Sequence, residues 1–297
     1  MYVCDIHCYE VLNEYLVNVR EKINVSFELF PPKDLISRKK LFKTVNKLKL
    51  LHPVFFSVTC GAFFETRNNT YNIANEIKNQ TNIETVPHLT CSNMTKDELV
   101  EIAKKYWNSG FRSILALRGD FKNFEKKTVM YAVDLIKILK CVANFNILVA
   151  AYPELHPESR SAEVDLINLK RKIDAGANCA ITQFFFSTTH FLKFRDLCVR
   201  SGITIDIIPG IFPIFNFKQL CNFSKMSNVT IPTWIYHMFN GLENDLKRSE
   251  IIGTSIAIDM VKVLYKEGIR NFHFYALNKS NMVISICHIL GKKLCSV

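Results

Sequence analysis

The chain lacks any run approaching the roughly 20 consecutive apolar residues that a membrane span requires. Its first residues, "MYVCDIHCYEVLNEYL", carry neither a basic start nor a small-residue cleavage site, so a cytoplasmic protein is expected. No C-x-x-C pair occurs. Of the 10 cysteines, Cys4 and Cys8 around His7 come nearest to a ligand cluster, and the others stand singly in apolar runs, as small buried hydrophobes do. Neither a metal site nor a disulfide framework is expected. The formal charge of +11 is not gathered into an aromatic-interleaved basic tract. Lysines mix with acids at helical spacing, as in "KDELVEIAKK", which reads as solvated surface rather than a nucleic-acid footprint. No linker or low-complexity tract divides the 297 residues, enough for one large α/β domain spanning 1–297.

What is present is a rhythm. Short β-branched and aromatic runs recur: "NVSFELF" (24–30), "VFFSVTC" (54–60), "ETVPHLT" (84–90), "SILALRG" (113–119), "ILVAAY" (147–152), "CAITQFFF" (179–186), "IDIIPGIF" (205–212) and "NFHFYAL" (271–277). Helix-periodic segments lie between them. "TKDELVEIAKKYWNSG" opens with a capping-box pattern, Thr95 to Glu98, and ends at Gly110. Eight strands alternating with helices predict a (β/α)8 TIM barrel. An N-terminal helix precedes the first strand, and extra helices are expected in 213–268, between strands seven and eight. A doubly wound open sheet is the alternative, but no G-x-G-x-x-G follows the first strand.

In a barrel of this kind the site lies where strands give way to the following loops. Polar residues gather there: Glu28, Thr59, His88, Arg118-Gly119-Asp120, Tyr152 with His156, and Gln183. Taken singly, each has a structural explanation; Glu28 could form an ion pair with Arg118, and a lone His or Gln in a strand is often a satisfied core group. Six of eight strands showing a polar group at one end favour a site. The tripeptide Arg118-Gly119-Asp120 also spells an adhesion motif, but it closes a buried strand. No lysine falls within an expected strand, which argues against a Schiff-base aldolase. Farther along, Asp165, Asn168 and Lys172 share one helical face, flanked by Arg171, beside an apolar stripe of Leu166, Leu169 and Ile173. An acid for ribose hydroxyls next to cations for pyrophosphate suits a nucleotide cofactor.

With these residues assembled, the chain resembles the methylenetetrahydrofolate reductases, flavoproteins, in their bacterial single-domain form. The resemblance runs nearly end to end, through "SFELFPPK", "SVTCGA", "PHLT", "LALRGD", "VAAYPELHPES", "DLINLKRKIDAGANCAITQFFF", "IPGIFPI", "NFKQL" and "GIRNFHFYALNKSNM". It implies a barrel holding noncovalent FAD, which takes hydride from NADH (or NADPH) and, in ping-pong fashion, passes it to 5,10-methylenetetrahydrofolate. The product, 5-methyltetrahydrofolate, would supply methionine synthesis. By this resemblance Glu28 is the general acid and Asp120 the acid between flavin and pterin. FAD would contact Thr59, Cys60, Ala62, His88, Arg118, Gly119, Asp120, Ala132, Tyr152, His156, Ser159, Asp165, Asn168, Arg171 and Lys172. Folate would contact Asp120, Gln183, Gln219, Phe223 and Lys279, and the nicotinamide Thr59 and Gln183. The partners implied are the folate and the dinucleotide, within a homo-oligomer.

Three positions depart from the family pattern: Cys60 stands for Tyr, "AFFETR" for a Gly- and Ser-rich loop, and Lys279 for Arg. The last keeps a cation for folate carboxylates but loses bidentate geometry, so weaker folate binding is expected. A rival reading is a relative that binds folate or flavin without turnover. Retention of Glu28, Asp120 and Gln183 favours activity.

Overall fold

The computed structural model describes residues 23–60, 64–119 and 130–294. The expected N-terminal helix, Cys4, His7 and Cys8, Ala62 and Asp120 lie outside the described residues. Among those described, nine parallel strands run β1 Asn24–Leu29, β2 Phe55–Val58, β3 Glu84–Thr90, β4 Ser113–Leu117, β5 Asn146–Ala151, β6 Cys179–Thr182, β7 Asp206–Ile208, β8 Gly210–Ile211 and β9 Asn271–Tyr275. Their helices are α1 Leu35–Leu48, α2 Phe64–Thr81, α3 Lys96–Asn108, α4 Ala132–Val142, α5 Ala162–Asp174, α6 Thr188–Arg200, α7 Phe217–Ser227, α8 Thr233–Phe239, α9 Leu246–Lys266 and α10 Asn281–Ile289. The expected TIM barrel is present, with three helices, α7, α8 and α9, between strands seven and eight, where the repeat requires one. The helix boundaries follow local chemistry: Thr95 accepts from the Glu98 N–H while the Glu98 carboxylate accepts from the Thr95 N–H, and Gly110 past the C-terminus adopts φ +78°.

Alternation along each strand builds two cores. Outward residues such as Phe27, Phe56 and Phe274 pack under the helices, all with no exposed surface. Inward, Phe55, Val86, Leu115, Leu148, Ile181 and Ile208 fill the barrel as a separate plug. The cysteines among the described residues are free; Cys91, Cys198 and Cys287 are buried as expected, whereas Cys141 is exposed. No described helix is long and apolar enough to cross a membrane.

Closure departs from expectation at the seventh strand. "IDIIPGIF" is not one strand but two, β7 pairing with β6 and β8 with β9, so that the order runs β7-β6-β5-β4-β3-β2-β1-β9-β8. The break falls at Pro209, which has no N–H for the ladder. Its carbonyl instead accepts from the His273 N–H at 3.0 Å, and the next donor, the Gly210 N–H, turns to the Thr182 hydroxyl at 2.9 Å. The chain thereby changes partners within one residue.

Gly210 is required by this crossing. A Cβ there would meet the Thr182 carbonyl oxygen at 2.2 Å and the Tyr275 ring at 2.7 Å. Gly210→Ala is expected to lose about 1–3 kcal/mol through overpacking, read as a lower urea midpoint at unchanged m-value; an unaltered midpoint would show that the two strands can part at no cost.

Candidate active site and flanking cleft

Glu28 projects from β1 into the barrel mouth and is 8% exposed. Parallel pairing aligns it with Ser57 on β2 and Tyr275 on β9. Two imidazoles face its Oε2: His88 Nε2 at 3.6 Å from β3 and His273 Nε2 at 3.9 Å from β9. Among the described residues neither Nε2 has a hydrogen-bond partner, and both rings are buried. The other nitrogen of His273, Nδ1, lies 2.7 Å from the Ser26 hydroxyl. If Ser26 donates there, the His273 Nε2–H points at the carboxylate. If Ser26 turns its proton to the Phe272 carbonyl, 3.4 Å away, Nε2 becomes an acceptor on the carboxyl's side of the ring.

His88 is neutral at ordinary pH: burial pushes it down from 6.5 to about 4, against the opposing pull of Glu28 and with a smaller push from His273. Tyr275 donates its hydroxyl to the Thr182 carbonyl at 2.8 Å, and burial, reinforced by Glu28, raises its phenol well above the usual range. The Glu28–Arg118 ion pair considered from sequence is not formed. Arg118 engages Glu158 instead, through Nη1–Oε2 and through Nη2–Oε1 at 2.6 Å. His273, Ser26 and Tyr275 were not singled out by sequence reading. Their signal was parity: in "NFHFYAL", His273 and Tyr275 share the inward face with Asn271.

Above this cluster lies a cavity of about 280 Å³ with Glu28, His88 and Tyr275 on one wall, Leu115, Leu117 and Ile181 opposite, and Gln183 and Phe223 at its edge. The Gln183 Oε1 accepts from the Phe184 N–H at 3.0 Å. Two further cavities adjoin it, of about 270 Å³ and about 590 Å³. Tyr152 lines all three. Cys60 and Gly119 line the smaller; Arg118, Ala132, His156 and Lys172 line both; Ser159, Asp165, Asn168 and Arg171 line the larger. Thr59 stands apart from these cavities, its backbone tied to Leu29 and to the Thr70 hydroxyl. Gln219 and Lys279 line a separate pocket of about 360 Å³, where the Lys279 ammonium sits 4.8 Å from the centre of the Phe215 ring.

The larger cleft is shaped by the loop from β5 into α5. The Asp165 carboxylate accepts from the His156 N–H at 2.9 Å, and the His156 ring stands edge-on to Tyr152 at 4.5 Å. Burial holds His156 below its usual pKa. Lys172 donates to the Ala150 carbonyl at 2.5 Å; burial lowers its ammonium to about 8, with Asp165 opposing. Acceptors for ribose hydroxyls and cations for phosphates thus share one cleft, of a size suited to a cofactor fragment. No cluster of three metal-ligating side chains occurs among the described residues.

The fold and the mouth define a (β/α)8-barrel protein with a buried carboxylate at the strand ends and a cleft of mixed charge beside it. The family model of methylenetetrahydrofolate reductase matches residues 13–291, and the chain belongs to this family. It is 62% identical to the 5,10-methylenetetrahydrofolate reductase of Buchnera aphidicola subsp. Baizongia pistaciae, over 96% of this chain and 97% of that protein. It is 52% identical to the Escherichia coli enzyme of the same name, over 95% of each chain. Among solved structures, a Clostridium thermocellum protein that binds two copies of 5-methyl-5,6,7,8-tetrahydrofolic acid shares the fold, with TM-score 0.65 at 18% identity, over 95% of this chain and 98% of that one.

Because the unfolded chain takes up a proton near 6.5 that native His88 refuses until about 4, His88 costs no stability above pH 6.5 and lowers it progressively across that window. The slope from this group is at most about 1.4 kcal/mol per pH unit. His88→Gln should flatten the fall of unfolding free energy between pH 6.5 and 4; an unchanged slope would assign the acid sensitivity to other groups.

Proposed function

We propose that this chain, as a single catalytic domain spanning 1–297, is an FAD-dependent methylenetetrahydrofolate reductase of the cytoplasm. It would use NADH, act as a homo-oligomer and supply methyl groups for methionine synthesis. The observation that carries the reading is Glu28, a buried carboxylate held beside two imidazoles and facing a cavity that adjoins the flanking cleft. Family membership supports the folate substrate.

Glu28 is suited to hold a proton and release it to the folate, opening its five-membered ring to the reactive iminium. His273, anchored by Ser26, positions that carboxyl and has a nitrogen to exchange a hydrogen bond as the proton leaves. Leu115, Leu117 and Ile181 offer an apolar face to flat rings, and Phe223 can stack on the folate's aromatic ring. Lys279 and Gln219, in their own pocket along α7, suit the folate's glutamate carboxylates. Asp120, beyond the described residues, keeps the pterin-binding role that the resemblance gives it.

The flanking cleft fits FAD by the chemistry of its donor set. Arg118, Arg171 and Lys172 would meet phosphate oxygens, Asp165 and Asn168 a ribose, and Tyr152 the wall shared with the central cavity. When bound, the flavin supplies the redox step between nicotinamide and folate. The protein's part is to orient the rings, exclude water and manage the proton.

The direct test is anaerobic. With FAD added, NADH should bleach the flavin band and methylenetetrahydrofolate should restore it with 5-methyltetrahydrofolate formed. Protein that binds no flavin would rule out the proposal, and bleaching without return would confine it to NADH oxidation. Glu28→Gln should slow the folate half-reaction by about 10²–10⁴-fold while leaving flavin reduction near wild type.

Lys172 adds a pH signature to cofactor binding. A bound phosphate favours its charged form, so FAD affinity should decline as pH rises past about 8, and Lys172→Met should flatten that decline. A wild-type dissociation constant unchanged between pH 7 and about 9.5 would remove Lys172 from the phosphate site.

A further inference from the structure

Among its described lining residues, the larger cleft carries three cations, Arg118, Arg171 and Lys172, against three carboxylates, Asp134, Glu158 and Asp165. Two of the carboxylates are committed to shaping the walls. Asp134 accepts from the Tyr131 N–H and Asp165 from the His156 N–H, each at 2.9 Å. Glu158 is different. Both of its oxygens engage the Arg118 guanidinium, fork to fork. Arg118 sits in the wall with its side chain 18% exposed, whereas that of Glu158 is 58% exposed and reaches the cation from the solvent side. The loop holds its course without that carboxylate: the Glu158 N–H donates to His156 Nδ1 at 3.1 Å, and the Ser159 N–H to the His156 carbonyl at 2.9 Å.

A carboxylate and a phosphate present a guanidinium with the same pair of oxygens. We infer that Glu158 is an exchangeable counter-ion: its carboxylate and the phosphate oxygens of a dinucleotide compete for Arg118. This rests on the reading of the cleft as the FAD site. The pair keeps the guanidinium fork aimed along the cleft, and it sets a threshold that only a phosphate-bearing ligand overcomes. A flavin without phosphate gains nothing by displacing Glu158. The residue thus determines selectivity for phosphorylated ligands, and no chemical step depends on it.

The experiment titrates FAD, ADP and riboflavin into the flavin-free full chain and its Glu158→Gln variant, followed by flavin fluorescence and calorimetry. Removing the competitor should tighten FAD and ADP by about two- to fivefold, the range of an exposed ion pair. Riboflavin should bind both proteins alike. The gain should shrink at high salt, where the pair is already screened. Glu158→Asp, too short to span the fork, should shift FAD and ADP in the same direction and serves if the first variant folds poorly. Equal or weaker FAD and ADP binding by variants that fold would overturn the inference and make the pair a strut of the wall. An equal gain for riboflavin would also overturn it, as a general loosening of the cleft. Wild-type protein that binds no FAD would remove the cofactor reading and this inference together, whereas wild-type binding with an unresponsive variant removes this inference alone.

Discussion

A parallel sheet becomes a barrel only if its first and last strands find each other, and here that junction is the pairing of β1 with β9. It is secured at several levels. The ladder runs from Asn24 opposite Asn271 to Glu28 opposite Tyr275. The Asn24 and Asn271 side chains bond at 2.9 Å at one end. At the other, the Asn278 amide accepts from the Phe30 N–H and donates to the Phe30 carbonyl, both at 2.9 Å, continuing the ladder with a side chain in place of a strand. Closure brings His273 and Tyr275 to Glu28. Without it, the carboxylate would face only His88.

The ring so formed is unevenly polar: Phe55 and Val86 are apolar inward positions on β2 and β3, yet buried polar groups gather on their side. Inward positions on β1, β2, β3 and β9 include Ser26, Glu28, Ser57, His88 and His273, all buried. Those on β4 through β7 include Leu115, Leu148, Ile181 and Ile208. A flat, partly polar ring placed between the halves would meet proton-handling groups on one side and a dry wall on the other. The low polarity of the surroundings strengthens any hydrogen bond made at the Glu28 carboxyl. Two imidazoles stand within 4 Å of the carboxyl, and one of them, His88, is kept neutral by burial.

Much of this was readable from residues alone, and the gaps have physical causes. Eight apolar runs separated by helix-periodic segments specified the barrel, because each run must bury both faces. Asp165, Asn168 and Lys172 could be grouped from helical spacing and do line one cleft. Long-range partners could not be read that way. Glu28 and Arg118 each need a counter-group, and their pairing is one structural alternative that sequence leaves open. Arg118 lies nearer the loop after β5, where Glu158 reaches it, while Glu28 is served from β9. The break in the seventh strand had a visible cause, Pro209, whose consequence depends on which strands flank it. His273 was legible as a strand residue, and only closure made it a neighbour of Glu28.

Ser26 and His273 are separated by 247 positions in sequence. Contacts of such range bear a large loop-closure entropy and are expected to form late in folding. The flanking cleft draws on β4, β5 and the helices after them, and can take shape from shorter-range contacts. The barrel mouth cannot be completed until the segment through Tyr275 has been synthesised and docked. A nascent chain can therefore assemble the cleft before Glu28 has its neighbours from β9, and a truncation short of β9 would remove His273 and Tyr275 while leaving the cleft's residues in the chain.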